Sequence, residues 1–230
     1  MSTYQFPMRK RVRQETEEDA NLSELLSMFS SGKKSRQNEP ENFFFAPPSN
    51  VFARDNHIYF RCPVSDESIS DLVGLIEDKN SEFEELSRNK MFEKVTPAPL
   101  YLHITSPGGS VFAGNRAIDC IKNSKVPIHT VAEGHVASMG AGLLICGKKR
   151  FMTRNSYVLI HQISAGARGT YHELCDDHEN NKQIMQDVVN HYVEHTYMDE
   201  KEVRKEFKHD RWWDFNKCKR NGLVDELYTQ

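Results

Sequence analysis

The chain has 230 residues, with Lys+Arg 30 against Asp+Glu 33 and a formal net charge of −3. That balance excludes a strongly basic nucleic-acid binder and an acidic tail protein as defaults. Hydrophobic residues make up 38% and charged residues 27%, the composition of a soluble globular domain, and no run approaches the roughly 18 apolar residues of a membrane span.

The opening stretch MSTYQFPMRKRVRQETEEDA carries basic residues with no apolar run behind them, so it does not read as a secretory signal. Acidic residues follow Arg9, Lys10, Arg11 and Arg13 at once, which favours a solvated tail over a nucleic-acid arm. Residues 1–50 as a whole, with SSGKKSRQNEP and FFFAPPSN, read as a flexible extension. Leu22, Leu25, Leu26 and Phe29 could share one face of a short helix within it, and Phe43–Phe45 could anchor it.

From Asn56 onward strands and helices alternate. HIYFRC (57–62) predicts a strand. The next helix has Ile69, Leu72, Val73 and Ile76 on one face and Ser65 or Asp66 as its cap. The charged stretch 79–99 is expected to be a loop. LYLHIT (100–105) is a strand broken by Ser106-Pro107-Gly108-Gly109-Ser110. VFAGNRAIDCIKNS is a helix, VPIHTVAEG a strand, ASMGAGLLICG a helix of small residues, and KRFMT and SYVLIH short strands. Thr170–Thr196 lacks Gly and Pro and predicts one long helix with a partial apolar stripe. Such a helix spans roughly 40 Å, longer than a core of this size needs, so it is expected to project. Asp199–Phe207 is a short helix, and a helical stretch runs from HDRWWDF through Cys218. The alternation predicts an α/β fold with a mostly parallel sheet covered by helices. The five cysteines, widely spread and without CxxC spacing, read as free thiols of a reducing compartment.

Three features carry chemistry. The SPGG turn exposes backbone N–H groups at a strand end. Ser138 lies among small residues in GHVASMGAG, at a strand-to-helix transition where the helix dipole favours developing negative charge. His161 ends the apolar strand YVLIH. Taken singly, each has a bland alternative: a common turn, a simple N-cap serine, a structural histidine. The residues alone also leave the acid open among Asp176, Asp177, Asp210, Asp214 and Asp225.

In this order, ITSPGGSVFAG, VAEGHVASMGAGLLICGKKRFMTRNSYVLIHQ, HDRWW and GLVDEL resemble the ClpP family of ATP-dependent serine peptidases, over residues 56–230. The resemblance implies a ClpP/crotonase-like fold, with residues 51–230 as the peptidase domain and 170–197 as a projecting handle helix. It also implies Ser138 as nucleophile, His161 as base and Asp210 as acid, with the N–H groups of Gly109 and Met139 as oxyanion hole. The same resemblance implies stacked seven-membered rings, polypeptide substrates, a AAA+ unfoldase as partner, and a cytoplasmic or organellar location. No cofactor is expected. No GxxxxGK nucleotide loop is present, and His191-x-x-Glu194-His195 is not an HExxH metal motif.

Some positions depart from the family pattern. The extension is long, the 79–99 segment looks expanded, Ile163 stands where Pro usually follows the histidine, and two tryptophans follow Asp210. These keep other readings in play: a non-catalytic ring subunit, a capsid maturation protease, or crotonase-type acyl-CoA chemistry.

Overall fold

The computed structural model describes residues 50–88 and 96–229. The readings made of the N-terminal extension, its 21–29 helix and its Phe43–Phe45 anchor lie outside the described residues. Eight strands and six helices follow one another among them: β1 (Val51–Arg54), β2 (His57–Phe60), α1 (Asp66–Ser87), β3 (Leu100–Ser106), α2 (Val111–Asn123), β4 (Ile128–Ala137), α3 (Met139–Leu144), β5 (Lys149–Met152), β6 (Tyr157–Ile160), α4 (Tyr171–His195), α5 (Glu200–Glu206), β7 (Arg211–Trp213), α6 (Phe215–Arg220) and β8 (Glu226–Leu227).

The sheet runs β1-β2-β3-β4-β5-β8, with β6 and β7 branching from β4. Its central pairings are parallel, while β1–β2 and β6–β7 are antiparallel, so the sheet is mixed. The branch arises within β4. Its His129–Ala132 half pairs with β5 and its His135–Ala137 half with β6. The β3–β4 register breaks between these halves, since Ile104 faces Ala132 but Ser106 faces Val136. Extra residues on one strand bend it, as in a bulge, and the bend carries the end of β4 onto a new neighbour.

Alternation along the strands separates two faces. Ile58, Phe60, Leu102 and Ile104 are buried with the helix residues Ile69, Leu72, Ile76 and Ala117 in one core. The other face carries His57, Tyr59, Tyr101, His103, His129 and Phe151 as a plate of packed rings. Within that plate His57 Nδ1 meets buried His103 Nε2 at 2.9 Å, and His103 Nδ1 meets Glu133 at 2.7 Å.

Most helices follow their local signals. Ser65 and Ser68 close a capping box on α1, Thr170 and Glu173 do so on α4, and Asp199 and Glu202 on α5. One expectation is overturned. The segment 79–88 is not a loop, because α1 continues to Ser87. Its residues favour the helix: Lys79 pairs with Glu82 at 2.8 Å, Phe83 packs against the core, and no Gly or Pro intervenes. Asn80 also accepts bonds from Ser124 Oγ and Val126 N, tying α1 to the α2–β4 turn. A second correction concerns 211–213, which form strand β7 rather than helix. Aromatic residues fit a pleated half-buried surface, and here β7 adds to β6 with Trp213 buried. β1 is a further strand outside the predicted pattern, paired to β2 as a hairpin across Asp55 and Asn56.

Arg150 fixes the chain end. It forms a two-pronged pair with Asp225 and donates to the carbonyls of His195 and Gly222, joining β5, α4 and the approach to β8.

Candidate active site

Strand register brings the three sequence-predicted side chains to one end of the sheet. β6 lies between β4 and β7. Ala137 of β4 is opposite Leu159, and the Ser138 N–H donates to the Leu159 carbonyl at 2.9 Å. On the other side Ile160 is opposite Arg211, so the next antiparallel pair is His161 with Asp210. Their side chains meet: His161 Nδ1 lies 2.8 Å from Asp210 Oδ1. A carboxylate only accepts, so Nδ1 carries the proton and Nε2 keeps its lone pair. The pair is open to solvent in this chain, with side-chain exposures of 32% for His161 and 77% for Asp210.

Ser138 precedes α3 but does not cap it. Its backbone has φ 54 and ψ −123, and its side chain makes no capping bond. A positive φ on a residue with a Cβ costs of order 1–3 kcal/mol and persists only where the surroundings enforce it. The strain releases the hydroxyl from the helix end, so the simple N-cap reading of Ser138 fails. Met139 is the first residue of α3, where a helix supplies no carbonyl for its N–H.

The SPGG turn is pressed against this serine. Gly108 has φ +90, and a Cβ there would lie 2.6 Å from Ser138 Cβ and 2.8 Å from the Ala137 carbonyl oxygen. A side chain on Gly109 would overlap the Val64 carbonyl. Val64 holds the turn from behind: its N–H donates to Gly108 O at 2.9 Å, and Ser110 N donates to Val64 O at 2.9 Å. Neighbouring backbone groups in an extended segment alternate sides, which turns the Gly109 N–H away from Val64. Gly109, Ser138, Met139 and His161 all border one cavity of about 500 Å³.

That cavity continues between α2 and α4, along Val111, Phe112 and Ile118 on one wall and Ile184, Val188 and His191 on the other. No signal in the sequence pointed to this second wall. His191 Nε2 is 3.1 Å from the Gly142 carbonyl, which Cys146 Sγ also approaches at 3.1 Å. Burial lowers the His191 pKa to about 4, so the ring is neutral at neutral pH. Burial also pushes the Cys146 thiol up to about 12, away from thiolate chemistry. His195 Nδ1 bonds the His191 carbonyl at 2.8 Å, so both imidazoles use a ring nitrogen on a backbone oxygen.

The other candidate acids have different tasks or places. Asp214 Oδ1 accepts from Lys217 N at 2.8 Å as the cap of α6, and Asp225 pairs with Arg150. Asp176 and Asp177 lie on the exposed first turns of α4. Asp210 alone of the five is bonded to His161 among the described residues. Trp213, two positions after Arg211, is buried under Lys217, while Trp212 is half exposed beside His135.

Comparison with known proteins adds lineage to this geometry. The chain is 37% identical over 130 residues to ATP-dependent Clp protease proteolytic subunit 2 of Corynebacterium efficiens, covering 56% of this chain and 65% of that one. It is 35% identical over 130 residues to proteolytic subunit 3 of Streptomyces avermitilis, covering 56% of this chain and 59% of that one. Against the proteolytic subunit of Deinococcus radiodurans it is 27% identical over 182 residues, 77% of this chain and 82% of that one. The match thus spans less than two thirds of the length of the Corynebacterium and Streptomyces relatives. The Clp protease family profile matches residues 87–230, well over half of the chain and the whole of the candidate site except Val64 behind the turn, and the chain belongs to that family.

Proposed function

We propose that this chain is a serine endopeptidase that hydrolyses unfolded polypeptides inside a chamber built from its own copies. One observation carries the reading: strained Ser138 and the bonded His161–Asp210 pair stand on adjacent strand ends, over one cavity that also meets Gly109 and Met139. Serine needs a general base at neutral pH, and a neutral imidazole has the right basicity. In this reading His161 Nε2 takes the Ser138 proton as Oγ bonds to the scissile carbonyl carbon. The N–H groups of Gly109 and Met139 hold the oxyanion. His161 then passes the proton to the leaving amine, and a water attacks the acyl ester with the same base. Asp210 holds the imidazole tautomer and stabilises its protonated form.

Residues 51–230 serve as a ClpP/crotonase-like peptidase domain in this proposal, and residues 1–50 as a propeptide or axial segment. The curated relatives are described as ATP-dependent proteolytic subunits. By analogy a AAA+ unfoldase feeds the chamber, and paired seven-membered rings form it, with α4 as the handle between rings. The five cysteines are unpaired thiols, which fits a cytoplasmic or organellar compartment. The test is covalent labelling by a fluorophosphonate together with cleavage of a fluorogenic peptide. Both should occur in the full chain and be lost in Ser138→Ala. A chain that assembles but neither labels nor cleaves is a structural subunit instead.

A further inference from the structure

The cavity beside Ser138 has apolar walls and an acidic outer part. Val111, Ile118, Met139, Ile184 and Val188 supply methyl and thioether surface. Asp119, Asp187 and Glu194 supply carboxylates, and no Lys or Arg is among the described residues that line it. Glu194 is already paired with Lys122 at 3.2 Å. Asp187 accepts only a neutral amide bond, from Gln183 at 3.0 Å, and keeps its charge uncompensated. The imidazole in the wall, His191, is uncharged at neutral pH because it is buried against Gly142. The space therefore holds net negative charge from Asp119 and Asp187 above an apolar trough.

We infer that this trough receives the side chain of the residue whose carbonyl Ser138 attacks, and that it selects lysine and arginine there. The proposal rests on the peptidase reading above and deepens it. A long basic side chain suits such a space, since its methylene stem lies along apolar surface while its head reaches polar groups at the rim. The sign of the selection depends on the carboxylates. Apolar walls alone favour an uncharged chain, because a cation loses hydration on entering. A half-exposed carboxylate returns about 1.5- to 5-fold per pair. Two of them together should give a preference of about threefold to tenfold for the cation.

Norleucine is the uncharged counterpart of lysine in shape, so a matched pair of fluorogenic peptides isolates the charge. The peptides differ only in lysine or norleucine before the coumarin leaving group, and the full-length chain is assayed with each, counting only cleavage lost in Ser138→Ala. The expected result is a higher kcat/KM for lysine than for norleucine. The ratio should fall toward one in 0.5 M salt and in the Asp119→Asn/Asp187→Asn double variant. Ser138-dependent cleavage with norleucine equal or preferred overturns this inference and leaves the peptidase reading standing. A lysine preference that neither salt nor the double variant reduces also overturns it, because the charge then comes from elsewhere. Absence of any Ser138-dependent cleavage overturns both.

Discussion

Around Ser138 the backbone is held by bonds from β6, from Val64 and from the first turn of α3, whereas residues 171–180 of α4 are all exposed. The two regions use opposite means. At the strand ends, long-range register fixes a conformation that the local sequence disfavours: a serine at φ 54, packed on a glycine that tolerates no Cβ. In α4 the support is local, a Thr170–Glu173 capping box and side-chain pairs such as Gln183–Asp187 and Gln186–Asn190. Such pairs contribute a few tenths of a kcal/mol each, and a helix without tertiary packing is marginal. Only Val189 and Tyr192 of α4 are buried. Strain at one place and idle surface at the other both point away from folding economy, the first toward chemistry and the second toward contact with another body.

The sharpest way to break the first half of the comparison is Asp210→Asn. An amide keeps the shape but can bond the imidazole in the wrong tautomer. Peptide cleavage should fall by about 10²–10⁴-fold, with the unfolding midpoint little changed because the side chain is largely exposed. Steady-state kinetics and a urea titration on the same preparation check both. A loss of less than about threefold would remove Asp210 from the proposed triad and reduce the β6–β7 register to a structural coincidence.

A smaller effect concerns acid stability. Burial lowers His191 to about 4 and lowers His103 as well, against an ordinary value near 6.5. The unfolded chain therefore binds more protons than the folded one between those values. Stability is whole above about pH 6.5 and is lost as pH falls toward 4. His191 accounts for roughly 2–4 kcal/mol of that loss, and His103 acts in the same direction. In His191→Gln the loss between pH 7 and pH 4, read from urea unfolding, should be shallower than in the parent. Equal losses in the two proteins would mean that His191 is not held neutral.

The sequence was most legible where structure is local. Ser65, Thr170 and Asp199 cap the helices their spacing announces, and Ile69, Leu72, Val73 and Ile76 form the buried stripe of α1. It was least legible where one element depends on a distant one. β7 is three residues long and exists because β6 offers an edge, so RWWDF alone does not announce a strand. Yet that strand places Asp210. The strain at Ser138 was hidden for the same reason, since it is imposed by Leu159 and Gly108 rather than by its neighbours in sequence. The end of α1 was missed because charge was read as loop, although glutamates and Phe83 suit a helix with one face on the core.

The smallest stability effect is expected on α4, and it tests the second half of the comparison. Tyr171 is 76% and Leu174 41% exposed, at i and i+3 on one side of the first turn, so they pack little against their own chain. Replacing both with serine removes apolar surface that gains little from folding. The urea midpoint, measured at a concentration where the chain is dissociated, should move by no more than about 0.5 kcal/mol. If α4 joins two rings, the same double variant should shift the intact assembly toward half its mass in native mass spectrometry, because the lost apolar contact lies between copies. A large fall in midpoint would place these residues in an intramolecular contact. An unchanged midpoint with unchanged assembly mass would refute the handle assignment, and it would leave the exposed turns of α4 free for a different partner.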